Sequence, residues 1–106
     1  MTETASYHDP DWRDDPLESG APVRRYYQKH RLKVWPEFWE ALDGGGKTFE
    51  LRKDDRAFDV GDELVLDEWS PKTGEYTGRR QFRRVTYILK GGQFGLEPGY
   101  VCMGLS

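Results

Sequence analysis

Three ionisable side chains, Lys47, Glu50 and Arg52, fall within six residues in the segment Gly46-Lys47-Thr48-Phe49-Glu50-Leu51-Arg52. In an extended chain successive side chains point to opposite faces, so Glu50 and Arg52 share a face and Lys47 belongs to the turn before them. A carboxylate beside two cations can grip the edge of a nucleobase while a cation holds phosphate. The same residues can also form an ordinary exposed ion pair worth about 0–1 kcal/mol. A second cluster comprises Arg79, Arg80, Arg83 and Arg84. Extended, it puts Arg79 and Arg83 on one face with Gln81, and Arg80 and Arg84 on the other with Phe82, so the four guanidiniums do not make one patch. The face with Arg79 and Arg83 suits phosphate contacts, each adding to a salt-sensitive affinity; the alternative is a charged strand that resists edge-to-edge aggregation. His30 suits a simple hydrogen bond, and Cys102, in an apolar segment, suits a buried inert thiol. One cysteine with two distant histidines gives neither a disulfide nor a zinc site, so no metal or other cofactor is expected.

These side chains need elements to position them. His30-Arg31-Leu32-Lys33-Val34 alternates polar and apolar residues and predicts a short strand. Pro36 suits the first turn of a helix, and Trp35, Phe38, Trp39 and Leu42 recur at helical spacing, which predicts a helix covering the sheet with these residues in the core. Gly44, Gly45 and Gly46 end it. The segment from Lys47 to Arg52 predicts a strand with Phe49 and Leu51 facing the core and Thr48, Glu50 and Arg52 on a charged face. Residues 63–69 form another strand, 70–78 a long hairpin connection, 79–89 the longest strand, and 100–105 the last, after a glycine-rich stretch. Near the predicted turns, Trp69, Tyr76 and Phe94 are the aromatics best placed to stack on bases. The expected fold is α+β: a small, mostly antiparallel β-barrel of about five strands with one flanking helix, closed so as to remove its edges.

Composition sets the limits. With 106 residues the chain holds one domain, and its fifteen aromatics (4 Trp, 6 Tyr, 5 Phe) suit a small core of large side chains although only 36% of residues are hydrophobic. The net charge of −3 is uneven: residues 1–20 carry six acids against one base, leaving thirteen acids and fifteen bases for the rest. Residues 1–25 therefore read as an acidic, disordered leader, either solubilising or competing with an anionic ligand, and 26–106 as the domain, the stretch from residue 21 onward being mildly basic. A net charge near +2 is too small for tight, non-specific polynucleotide binding and fits a small ligand or short single strand better. No stretch approaches the roughly 18 consecutive apolar residues of a membrane helix, and no apolar run resembles a signal peptide, so no membrane partner and a cytoplasmic location are expected.

Several separated motifs occur in order: His30-x-Leu32-Lys33-x-Trp35-Pro36-x-Phe38; Gly46-Lys47-Thr48-Phe49-Glu50-x-Arg52-Lys53-x-Asp55-Arg56-x-Phe58-x-Val60-Gly61-Asp62; and Arg84-Val85-Thr86-Tyr87-Ile88-Leu89 with Gly92-x-Phe94-Gly95-Leu96. Over roughly residues 28–106 this pattern resembles the ASCH domains of the PUA-like superfamily, and more narrowly their short branch common in bacteriophages and prophages. The resemblance implies a PUA-like barrel with a cleft at the Gly-Lys-Thr-x-Glu-x-Arg segment and a role in binding RNA, a nucleotide or a modified nucleoside. Fold alone does not establish function.

The expected ligand-binding residues are Lys47, Glu50 and Arg52 in the cleft, with Lys53, Arg79 and Arg83 as rim cations. Some ASCH relatives look like amidohydrolases of acylated cytidine that use a lysine, a threonine three positions later and a glutamate from elsewhere in the barrel. Lys47 matches that lysine, but the position three later is Glu50 and the hydroxyl is missing. A hydrolase, either amidohydrolase or ribonuclease, with Lys47 and Glu50 as its catalytic residues, is the alternative. A third possibility, of a different class, is a phage effector that binds a host protein through the acidic leader.

Overall fold

The computed structural model describes residues 26–106, so the expectations for the leader at 1–25 lie outside the described residues. Strand β1 (Lys29–Val34) buries His30, Leu32 and Val34 and exposes Lys29, Arg31 and Lys33, as its alternation predicts. Trp35 is the N-cap of helix α1 (Pro36–Asp43), its carbonyl accepting the amides of Phe38 and Trp39 at 3.1 and 2.9 Å. Pro36, lacking an N–H and with φ already fixed, fits the first helical position. At the other end Gly45 takes a left-handed φ of 82°, and the Lys47 amide donates to the Ala41 carbonyl at 3.0 Å. The helix cap thus sets where Lys47 leaves the helix.

Strands β2 (Phe49–Lys53), β3 (Glu63–Ser70), β4 (Glu75–Lys90) and β5 (Tyr100–Leu105) complete one sheet in the order β1-β3-β4-β5-β2. β1 and β3 are parallel, which the long intervening crossover permits, and the other pairs are antiparallel. The core gathers Leu32, Val34, Trp39, Leu42, Phe58, Leu64, Leu66, Val85, Val101 and Met103 on the inner face. Three hydrogen bonds pin α1 there: Trp39 Nε1 donates to the Leu66 carbonyl at 3.0 Å, Gln81 Nε2 to the Trp39 carbonyl at 2.9 Å, and Arg83 Nη2 to the Leu42 carbonyl at 3.0 Å. The face division expected along 79–84 holds, since Gln81 is buried and Arg79 and Arg83 reach the helix beside it.

Several expectations are corrected. The hairpin connection is shorter than 70–78, because β4 already begins at Glu75 and pairs Glu75 with Ser70. The sheet is not closed into a barrel. β1 and β2 remain edges, and side chains rather than a backbone ladder span the gap: Arg52 Nη2 donates to the Lys33 carbonyl at 2.7 Å and Arg56 Nη1 to the Arg31 carbonyl at 2.6 Å. These bonds satisfy edge carbonyls that closure would otherwise have paired.

The faces of β2 are reversed from expectation. Phe49 and Leu51 are 45% and 52% exposed, while Glu50 is 4% exposed. The register with β5 decides this by setting Glu50 opposite the core residue Met103 and Arg52 opposite Val101. Cys102, opposite Leu51, is half-buried rather than buried. A register shift between Val85 and Tyr87 re-phases β4, so that both Val85 and Ile88 reach the core.

Candidate nucleotide-binding groove

The open seam between β1 and β2 forms a groove of about 630 Å³, within the usual range for small-molecule sites. One wall is the end of β1 with Trp35 and Phe38; the other is the chain from Lys47 through Lys53, with Tyr100 beside it. Trp35 and Phe38 are 48% and 43% exposed, with ring centroids 6.4 Å apart and planes 25° from parallel. They share a helical face with Trp39 and Leu42, yet only the latter two enter the core. An eight-residue helix laid against the sheet by Trp39 and Leu42 leaves its first turn over the seam.

At the base of the groove lies the buried Glu50 carboxylate. Its Oε1 accepts from Lys47 Nζ at 3.0 Å and its Oε2 from Arg52 Nε at 2.8 Å. Burying a carboxylate is costly unless it is paired and hydrogen-bonded, and here each oxygen has a charged donor. Lys47 Nζ also lies 5.4 Å from the Phe38 ring centroid and 5.1 Å from that of Phe49, within the range of cation–π attraction. Lys33, Lys47, Arg52 and Lys53 line the groove against the single carboxylate of Glu50, so its field is positive.

The structure therefore brings Lys47, Glu50, Arg52 and Lys53 together and places Arg79 and Arg83 elsewhere. Arg83 binds the end of α1. Arg79 lies over the Trp39 ring at 4.1 Å, pairs with Glu40, and donates to the buried Glu68 through Nε at 2.8 Å and Nη2 at 2.9 Å. Thr77 adds a hydroxyl bond to Glu68 at 2.6 Å. A register shift between β3 and β4 at Asp67 and Trp69 places both Thr77 and Arg79 on that carboxylate. The hydrogen bonds from Arg79, then from Thr77, hold the Glu68 carboxyl below the usual range although burial opposes them. The bonds to Glu68 and then to Glu40 likewise raise Arg79. Beside this cluster a smaller cavity of about 340 Å³ includes Arg31, Asp67 and Arg80, with Asp67 accepting from both arginines at 3.0 Å.

His30 is a structural residue. Its Nε2 hydrogen-bonds Asp62 Oδ2 at 2.8 Å, and Asp62 also accepts the amides of Gln28 and Asp59, tying the start of β1 to the turn before β3. Among the described residues no group of three His, Cys, Asp or Glu side chains is placed to hold a metal ion, and no helix is long and apolar enough to cross a membrane. Trp35 and Phe38, which the sequence reading assigns to the core rather than to base stacking, and Lys33 and Tyr100, which it assigns to no site, line the groove. The available signal was the position of Trp35, which precedes Pro36 and so stands outside the first helical turn. Of the aromatics expected near turns, Tyr76 and Phe94 are exposed, but neither lines this groove.

A curated relative, the "Uncharacterized 12.9 kDa protein in GpA 3'region" of Escherichia phage P2, is 37% identical over 59 residues, covering 56% of this chain and 52% of that protein. The chain thus spans about half the length of the relative it matches. Residues 29–105 match the family described as "Domain of unknown function (DUF3850)", a span that starts with β1 and ends with β5 and so takes in both walls of the groove. On that match the chain belongs to the DUF3850 family.

Proposed function

We propose that the seam groove binds a nucleobase, in a nucleotide, a modified nucleoside or a short single strand of RNA, and that the domain is an ASCH-like member of the PUA-like superfamily. The observation that carries this is the pairing of two exposed aromatic rings, Trp35 and Phe38, with the Lys47–Glu50–Arg52 cluster across one groove. A flat heteroaromatic ligand can stack on the rings, at about 1–3 kcal/mol per base, while the cations engage its edge and phosphate. The phage relative supports a phage-encoded protein, and its action in the cytoplasm of a bacterial host is part of the proposal.

The test is a thermal-shift screen with nucleosides, nucleotides, N-acylated cytidine and short RNA and DNA oligonucleotides, followed by calorimetry on the wild type and on Trp35→Ala/Phe38→Ala. Both rings are close to half exposed, so the double variant keeps its fold. The expected outcome is a ligand-dependent shift that the variant loses. Absence of any shift, or one the variant retains in full, rejects the proposal.

The contact between Lys47 Nζ and Glu50 favours a second reading, a hydrolase built on that pair, and release of free cytidine or cut RNA in the same mixtures is its signature. A chain that ignores every nucleic-acid ligand, yet retains a host protein only when residues 1–25 are present, is instead an effector.

A further inference from the structure

The groove presents hydrogen-bond donors to its ligand. The Glu50 side chain, the one carboxylate in the lining, is 6% exposed, with each oxygen already accepting from a cation, whereas Lys47 and Arg52 are 19% and 26% exposed. The two cations therefore stand between the carboxylate and the ligand. Lys47 carries three N–H groups and Glu50 takes one. Arg52 uses Nε on Glu50 and Nη2 on the Lys33 carbonyl, and its Nη1 has no partner among the described residues. At the rim, the Lys53 ammonium has no polar partner among the described residues, and Lys33 Nζ lies 4.3 Å from the Trp69 ring centroid and pairs with no carboxylate among the described residues.

We propose that this groove selects a nucleotide whose base carries a keto oxygen at the purine 6- or pyrimidine 4-position, guanine or uracil, with the phosphate turned toward Lys33 and Lys53. The inference rests on the nucleobase reading above. A keto oxygen accepts from Lys47 or Arg52; guanine adds N7 as a second acceptor beside it, the pattern that arginine and lysine side chains favour. Adenine and cytosine put an amino group at that position. Its N–H groups would meet the N–H groups of two cations, leaving donors on both sides unpaired. The phosphate supplies the negative charge that the two rim lysines lack, and that part of the affinity falls with added salt.

The experiment is calorimetry at low salt with GMP, UMP, AMP and CMP, and with guanosine and uridine lacking the phosphate. GMP and UMP are expected to bind at least about fivefold more tightly than AMP and CMP, the low end of what one good base contact discriminates. Lys33→Ala/Lys53→Ala, at two exposed positions, is expected to weaken GMP several-fold toward the affinity of guanosine and to leave guanosine itself unchanged. Equal binding of all four nucleotides, or a preference for AMP and CMP, overturns the base selection while the nucleobase reading stands. Equal binding of GMP and guanosine overturns the role of the lysines. Failure of every one of these nucleotides and nucleosides to bind overturns this inference, whereas the nucleobase reading falls only if the oligonucleotides and N-acylated cytidine of the wider screen also fail.

Discussion

Arg52→Met is the most informative single change in the seam. Arg52 makes two bonds at once, to the buried Glu50 carboxylate and to the unpaired Lys33 carbonyl of the opposite strand. A hydrogen bond to a charged group contributes about 1.5–3 kcal/mol and an ordinary one about 1 kcal/mol, but Arg52 keeps 26% of its surface in water, which screens part of this. The expected cost is about 2–3 kcal/mol, a fall in Tm of roughly 10–20 °C for a domain of this size. Lys47→Met, which breaks one bond, should cost about 1–2 kcal/mol. Removing both cations strands a carboxylate that is 4% exposed, so the double variant should lose more than the two single losses together. Adding Glu50→Gln to that double variant should then restore stability, because the uncompensated charge is gone. Thermal and urea unfolding of these variants, followed by circular dichroism, measures all of this. Arg52→Met melting with the wild type, or Glu50→Gln giving no recovery in the double variant, would refute both the burial of Glu50 and the bridging of the seam.

Two further outcomes follow from the second cluster and from the β4–β5 loop. Because the folded-state pKa of Glu68 is depressed, its ionised form contributes stability above the unfolded carboxyl value of about 4.3, and that contribution is lost as pH falls through the lower folded value. Glu68→Gln should therefore lower Tm at neutral pH and flatten its decline below about pH 5, and an unchanged acid limb would assign that decline to other groups. Gly91→Ala should destabilise the domain by more than about 2 kcal/mol, since a Cβ there would lie 1.9 Å from the Glu97 carbonyl oxygen; Gly74→Ala, in open space at φ 71°, should cost only about 1 kcal/mol. Similar melting of these two glycine variants would contradict the close backbone approach at Gly91.

Much of the architecture is legible because local rules and tertiary packing agree. The alternation of His30, Leu32 and Val34, the Pro36 start and glycine stop of the helix, and the opposite faces of Gln81 and Phe82 all follow from periods of 2 and 3.6 residues. The candidate cluster of Lys47, Glu50 and Arg52 is legible for the same reason, since all three lie within one turn and strand. Arg79 and Arg83 show where that reasoning stops: their charge and shared face are local facts, but their partners, Glu68, Glu40 and the Leu42 carbonyl, come from β3 and the helix.

Sequence alone determined the order of elements, the helix limits near Pro36 and Gly44, and which residues of β1 and β2 share a face. Tertiary structure alone decided which face of β2 turns inward, that β1 lies parallel to β3, and that the sheet stays open. The physical reason is that a period of two is unchanged when the two faces of a strand are exchanged. Hydrophobicity would have put Phe49 and Leu51 inside. Instead the pairing with β5 faces Glu50 and Arg52 inward, and Lys47 and Arg52 neutralise the carboxylate that results. The same arginine side chain then spans the seam, where closure of the sheet would have left no room for a groove.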